Sequence, residues 1–306
     1  MEYRKLGNTG LQVSKLSYGA SSLGSVFKRI SDEDGIRTVH KALEGGINYI
    51  DVSPYYGMTT AETLLGKALH TIPRDSYILS SKAGRYGEHD FDFSYSRILK
   101  SAEESMLRLN VDYLDVLFLH DIEFESKEKI LNEAIPALYH LKETGKVRFI
   151  GISGFPLKAL DTIIQSTKKL DLVLSYCHYT LHNNSLLDLL ATDIGIVNAS
   201  PLSMGLLTNA GPPKWHPAPN EIKEICQRAA DYCNQKGENL SKLAIQYSVS
   251  NTNIPTTLVG TANPKYIEEN ISWVNEPMDM DLLVNVQEIL SPIKNMTWKS
   301  GLLENN

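Results

Sequence analysis

The sequence predicts an α/β fold, a (β/α)8 TIM barrel opened by a short N-terminal β-hairpin. Three observations carry this. Eight short apolar or β-branched runs recur along the 306 residues, with segments of helical character between them. Most of each run is apolar, as expected of strands covered on both faces. Finally, an acid, a phenol, an ammonium and an imidazole stand at or just past the ends of three successive runs, where parallel barrels hold their reactive groups.

The elements follow in order. Tyr3–Leu6 and Leu11–Val13 flank Gly7-Asn8-Thr9-Gly10, which is turn chemistry and gives the hairpin. The expected strands are Leu16–Gly19, Tyr49–Asp51, Tyr77–Lys82, Val116–His120, Phe149–Ser153, Leu172–Tyr176, Gly195–Ala199 and Thr257–Gly260. Ser31 is an N-cap for a helix over Asp32–Glu44 that stops at Gly45-Gly46. Thr60–Leu69 is the next helix. Ile98, Ala102, Ser105, Met106 and Leu109 fall on one face of Ser94–Leu109, and Gly145 closes Ile130–Glu143. Pro201–Asn220 holds Gly205, Gly211 and five prolines, so a long loop on the reactive face is expected there. A last helix is expected over Asp281–Leu290. With no repeat, low-complexity tract or linker to divide it, the chain 1–306 is expected to be a single domain.

Composition removes several function classes. At 42% hydrophobic and 22% charged residues the chain can build a large core without a lipid-facing surface. Net charge is −6 with both signs interspersed, which provides no footprint for nucleic acid or an anionic membrane. No apolar run reaches the roughly 20 residues that span a bilayer. Met1-Glu2-Tyr3-Arg4-Lys5-Leu6-Gly7 lacks an apolar signal core, so a cytoplasmic location is expected. Cys177, Cys226 and Cys233 are odd in number and widely spaced, so reduced thiols are expected rather than disulfides or a metal site.

The candidate catalytic residues are Asp51, Tyr56, Lys82 and His120. These four resemble the tetrad of the aldo-keto reductases, and the carbonyl–alcohol interconversion this implies needs a proton relay beside the hydride path. A phenol ordinarily titrates near 10, and a neighbouring ammonium lowers that value. Lys82 is the expected cation, Asp51 the carboxylate that holds it, His120 the group that orients the substrate oxygen, and Tyr56 the proton carrier. Singly, each residue has an ordinary structural explanation. The four together, in order at strand ends, favour the catalytic one.

This tetrad resembles that of the aldo-keto reductases, NAD(P)-dependent oxidoreductases. Tyr3-Arg4-Lys5-Leu6-Gly7-Asn8-Thr9-Gly10, Gly145–Ser153 and Ala199-Ser200-Pro201-Leu202 are similar to that family as well. Longer strings resemble its plant-type L-galactose dehydrogenase group: Gly19–Phe27, Lys82–Tyr86, His120–Phe124, Leu174–Tyr179, Met204–Thr208, Gly211–Pro217 and Asn295–Trp298. The resemblance implies a monomer or weak homodimer that oxidises the C1 hydroxyl of L-galactose to L-galactono-1,4-lactone, a step of ascorbate synthesis. The alternatives are another aldose 1-dehydrogenase (acting on L-fucose or D-arabinose), a carbonyl or ketosteroid reductase, and, from a different class, a non-catalytic binding subunit.

No Gly-x-Gly-x-x-Gly follows a strand, so the cofactor is expected on the loops after the seventh and eighth strands. Ser200, Leu202, Ser203 and Gly205 would hold the pyrophosphate through backbone amides and hydroxyls. By the resemblance, Gly260, Thr261, Tyr266, Glu269 and Asn270 would hold the adenosine half. NADP-preferring relatives place a Lys and an Arg where Gly260 and Tyr266 stand, with Lys265 displaced by one, so NAD is expected over NADP. Ser153, followed by Gly154 where the family often has Asn, and Ser175, beside Leu174 where the family has Gln, are the expected carboxamide partners. For a sugar, Arg85, Tyr86, Asp121 and Glu123 are candidate polar contacts, and Phe27, Trp215 and Trp298 a candidate apolar wall.

Overall fold

The computed structural model describes residues 1–306 apart from 27–28, 168–169 and 192–193. The hairpin forms as β1 (Tyr3–Lys5) and β2 (Gln12–Ser14), antiparallel with Tyr3 opposite Ser14. Its turn residue Gly7 has φ +52°, and a Cβ there would lie 2.5 Å from the Gly195 Cα, so both the conformation and the close approach require glycine.

Eight parallel strands close a barrel: β3 (Leu16–Gly19), β4 (Tyr49–Asp51), β5 (Ile78–Ala83), β6 (Leu114–Leu119), β7 (Val147–Gly154), β8 (Leu172–Tyr176), β9 (Gly195–Ala199) and β10 (Thr256–Val259). β10 returns to pair with β3. Alternation along the strands separates two cores. Tyr49, Val116, Phe118, Leu172, Leu174, Val197 and Leu258 fill the barrel, and Leu6, Leu11 and Val13 of the hairpin stop its lower end. The residues between them, such as Leu117, Leu119 and Val173, pack outward onto the helices. This parity sends Asp51, Lys82 and His120 inward: Asp51 and His120 follow the interior residues Tyr49 and Phe118, and Lys82 follows Ser80.

Helix ends follow local chemistry. Ser31 Oγ accepts the Asp34 N–H at 3.1 Å, and three acidic residues in that first turn suit the positive end of the helix. Asn263 caps Pro264–Trp273 in the same way, accepting the Lys265 N–H. Pro136 lacks an N–H to donate, and a π-turn over Ile130–Ala134 precedes it, extending that helix back to Lys127.

The alternation fails once. Between β8 and β9 the described residues form no α-helix, only a 3₁₀ run over Ser185–Ala191. The preceding stretch is spent on local bonds instead: Ser175 Oγ to His178 Nδ1, and Asn198 Nδ2 donating to the Tyr179 carbonyl. Two helices, Asn220–Gln235 and Leu240–Ser250, follow the long loop after β9, and with Met280–Leu290 they enclose a separate apolar cluster. The three cysteines are free and buried. Among the described residues no helix is long and apolar enough to cross a membrane, and no group of side chains has metal-binding form.

Candidate active site

The barrel mouth is built around a buried ammonium. Lys82 Nζ donates to Asp51 Oδ2 in a close ion pair, to the Val52 carbonyl at 3.2 Å and to Tyr56 Oη at 3.1 Å. Ser80, two residues earlier on the same inward face, donates to Asp51 Oδ1 at 2.7 Å, so both carboxylate oxygens are engaged. The intervening Ser81 points outward to Glu62, which Arg108 holds at 2.7 Å. Burial alone would lower the Lys82 pKa, but Asp51 and Tyr56 more than offset it and the ammonium is held above its ordinary range.

Tyr56 does not follow the expectation of a lowered pKa. Burial raises it, and Lys82 only partly opposes that rise. Tyr56 is therefore a neutral phenol at neutral pH. Its position depends on glycines: a Cβ on Gly57, at φ +62°, would lie 2.2 Å from the Gly24 carbonyl oxygen, and one on Gly24 would lie 2.6 Å from the Tyr56 backbone.

His120 faces the Tyr56 ring edge-on at 5.6 Å. Ser53 Oγ accepts the Tyr55 N–H at 3.1 Å and lies 2.9 Å from His120 Nδ1. The Asp121 carboxylate 3.6 Å from Nε2 favours the tautomer that carries its proton there, in which the Ser53 hydroxyl donates to Nδ1. Burial, then Lys82 and Arg85, hold His120 well below its ordinary pKa, so the imidazole is neutral. It can donate to a substrate oxygen but is a poor proton acceptor. Ser53 was not anticipated, although it shares the inward parity of Asp51.

The predicted sugar contacts separate into two groups. Asp121 Oδ2 takes Arg85 at 2.5 Å and lies 3.6 Å from His120 Nε2, so this pair borders the tetrad. Arg85 also lies 3.9 Å over the Tyr55 ring. Tyr86 instead accepts the Gly84 N–H at 3.1 Å under the Arg97 guanidinium, and so fixes its own loop. Glu123 is a correction. It is fully buried, accepting from Phe155 N and Ser300 Oγ, while its carbonyl accepts from Leu302 N and Asn305 Nδ2. It anchors the segment after Trp298 and has no carboxylate oxygen turned to solvent. Trp298 stacks on Phe155 at 4.7 Å and meets His216 edge-on at 5.0 Å. Trp215 is exposed beside His216. Phe27 lies outside the described residues.

The cofactor residues divide likewise. Ser153 lies on the inward face of β7 and donates to the Leu119 carbonyl at 3.1 Å. Ser175 has the outward parity of Val173 and bonds His178, so the sixth strand offers Leu174 and Tyr176 inward instead. In the loop after β9 the amides of Ser203, Gly205, Leu206 and Leu207 already donate to the carbonyls of Ser200, Leu202, Ser203 and Leu202. The expected cradle of free amides there is therefore largely closed. Hydroxyls remain: Ser203 Oγ is buried with no hydrogen-bond partner, which fits a pyrophosphate oxygen. Leu202 is partly buried between two apolar clusters. Gly260, Thr261, Lys265 and Tyr266 line one lip of an open groove of about 720 Å³, with Arg29, Asp34 and Arg37 on the other lip. Asn270 is buried, and Glu269 lies 3.7 Å from Lys265. These residues fit a dinucleotide. The second lip was unpredicted because it forms only when the helices Asp32–Glu44 and Pro264–Trp273 approach.

Burial also holds His178 and His182 at about 4 and pushes Glu123 up to about 8. The signs oppose. The histidines fold neutral, so their contribution is lost as pH falls from about 6.5 toward 4, whereas that of Glu123 is full below about 4.5 and is lost as pH rises through about 8. Comparison with His182→Gln separates the two. In urea denaturation, the stability advantage of wild type over this variant should shrink between about pH 7 and pH 5. An advantage independent of pH would contradict a neutral buried His182.

The chain matches the aldo/keto reductase family over residues 15–291. It is 48% identical over 319 residues to the L-galactose dehydrogenase of Arabidopsis thaliana, covering 100% of this chain and 99% of that one. The D-arabinose 1-dehydrogenase of Saccharomyces cerevisiae is 36% identical across 78% of this chain and 76% of its own length. The D-threo-aldose 1-dehydrogenase of a Pseudomonas species is 30% identical across 86% and 90%. Among solved structures, an aldo-keto reductase from Bacillus halodurans in its holo form has a TM-score of 0.80 at 22% identity, covering 98% of each chain, a likeness of fold. Barrel, tetrad geometry and sequence agree, and the chain belongs to the aldo/keto reductase family.

Proposed function

We propose that the protein oxidises the C1 hydroxyl of L-galactose to the 1,4-lactone with NAD as acceptor, in the cytoplasm, as a step of ascorbate synthesis. The observation that carries the reaction type is Lys82 bridging Asp51 and Tyr56 beside a neutral His120. Substrate class rests on the three relatives reported above, each named as a sugar dehydrogenase. His120 Nε2–H donates to the C1 oxygen and orients it. Tyr56, with Lys82 stabilising its anion, takes the hydroxyl proton. Bound nicotinamide supplies the hydride acceptor. Ser153 and Ser203, with Ser200, Gly260, Thr261 and Tyr266, are the residues assigned to hold that cofactor.

The preference for NAD has a charge argument. Neither Gly260 nor Tyr266 offers a cation to a ribose 2′-phosphate. Arg37 is tied to Asp34 at 2.6 Å, and Asp34 places a carboxylate in the same groove. A panel of aldoses with NAD and NADP, followed by absorbance, tests both parts. L-Galactose with NAD should show the highest kcat/KM, and D-galactose should be poor, because inverted hydroxyls leave buried partners unmade. Tyr266→Arg should narrow the NAD to NADP ratio by supplying a guanidinium. A wild-type preference for NADP would refute the cofactor reading, and turnover confined to ketones or other aldehydes would refute the sugar reading.

A further inference from the structure

Tyr176 ends β8 on the inward parity of Leu172 and Leu174, both of which lie in the barrel interior. Its ring meets Phe155 at 5.2 Å, and the buried Phe155 stacks on Trp298, so the three rings pack in one row. Unlike its interior neighbours, Tyr176 is only partly buried, and its hydroxyl has no hydrogen-bond partner among the described residues. The other tyrosines around the mouth are committed: Tyr56 to Lys82, Tyr86 to Gly84, Tyr55 beneath Arg85. Burial, then Asp121 and Glu123, hold Tyr176 well above the ordinary phenol range, while Arg85 opposes them. The phenol thus lies within electrostatic reach of the Arg85–Asp121 pair and keeps its proton at neutral pH.

We infer that Tyr176 is a specificity-determining residue, whose hydroxyl hydrogen-bonds a sugar hydroxyl other than the reacting one while its ring is held in place by Phe155. The reacting oxygen is assigned to Tyr56 and His120. Asp121 lies against His120, so a sugar held there extends past the Arg85–Asp121 pair toward Tyr176. A phenol is both donor and acceptor, which suits a hydroxyl that must also bond Asp121 or Arg85. An aldehyde without such hydroxyls would leave this phenol unmatched, so the residue favours polyols over simple carbonyl compounds. The inference rests on the proposed sugar oxidation and names what within the site reads the sugar.

Tyr176→Phe keeps the ring and removes the hydroxyl. With L-galactose and NAD, KM for the sugar should rise about 10-fold, the scale of one neutral hydrogen bond, with a smaller change in kcat. The dissociation constant for NADH, read by fluorescence, should stay within about twofold of wild type, which also shows that the variant folds. The same ratio is then measured with each monodeoxy L-galactose, L-fucose among them. One analogue, lacking the hydroxyl that Tyr176 reads, should show no further loss on substitution, while the others lose as L-galactose does. An unchanged KM for L-galactose would overturn the inference. So would an equal loss with every analogue, since the phenol would then act through packing. Wild-type turnover of the panel reports separately on the dehydrogenase reading; if no aldose is oxidised, that reading fails and this one with it.

Discussion

Replacing Tyr56 with Phe should lower kcat by about 100-fold or more while leaving the dissociation constant for NAD within about twofold. The ring keeps its edge-on contact with His120, so the substitution removes little besides the hydroxyl. No neighbour can replace it as proton acceptor. Lys82 is held protonated by Asp51, and His120 is neutral with a pKa well below the ordinary range. A pH signature accompanies the loss. Burial raises the Tyr56 pKa above its ordinary value of 10.0, so the acceptor form, the phenolate, is scarce at neutral pH. Its population grows about tenfold per pH unit below the pKa. Oxidation by wild type should therefore accelerate from about pH 7 to 9, and Tyr56→Phe should lose that slope. Near-normal turnover of a folded variant, or an unchanged slope, would contradict the role.

Lys82→Met should cost more than activity. It would leave the Asp51 carboxylate, which is 3% exposed, with the Ser80 hydroxyl as its remaining side-chain partner. Removing one partner of a buried ion pair typically destabilises by about 3–5 kcal/mol, because the other charge stays buried and uncompensated. Urea denaturation should show a loss of that order alongside loss of turnover. The double variant Asp51→Asn with Lys82→Met removes both charges and should recover part of the stability with none of the activity, since no ammonium remains to stabilise the phenolate. A single variant within about 1 kcal/mol of wild type, or a double variant less stable than the single, would show that the pair is not the buried, mutually dependent unit described.

The fold was legible because the barrel strands are mostly apolar runs, and those ending at Asp51, Lys82, His120 and Ser153 also carry a polar residue where the run ends. The expected strand Val116–His120 begins at Leu114 and ends at Leu119, and Phe149–Ser153 runs from Val147 to Gly154. Such shifts leave parity intact, and parity places Asp51, Lys82 and His120. Where parity was not applied, the residue was missed. Ser175 drew attention as a polar residue near the family's Gln position, but Leu172 and Leu174 inward imply Tyr176 inward and Ser175 outward. Glu123 was unreadable for another reason. Asp121 takes φ +55°, which turns the chain, and the partners of Glu123 lie at Ser300, Leu302 and Asn305, far along the sequence. The groove lip of Arg29, Asp34 and Arg37 depends on the helices Asp32–Glu44 and Pro264–Trp273 meeting, which local pattern does not encode. The raised Tyr56 pKa likewise follows from the depth of burial rather than from the identity of its neighbour.

The most direct measurement is the fate of the C1 hydrogen. Purified protein is given L-galactose deuterated at C1 together with NAD, and both products are examined by mass spectrometry. The account predicts L-galactono-1,4-lactone in step with reduced NAD carrying one deuterium, and label transfer that disappears in Tyr56→Phe. Reduced NAD without deuterium, or no lactone under conditions where the protein reduces a simple carbonyl compound with NADPH, would contradict it.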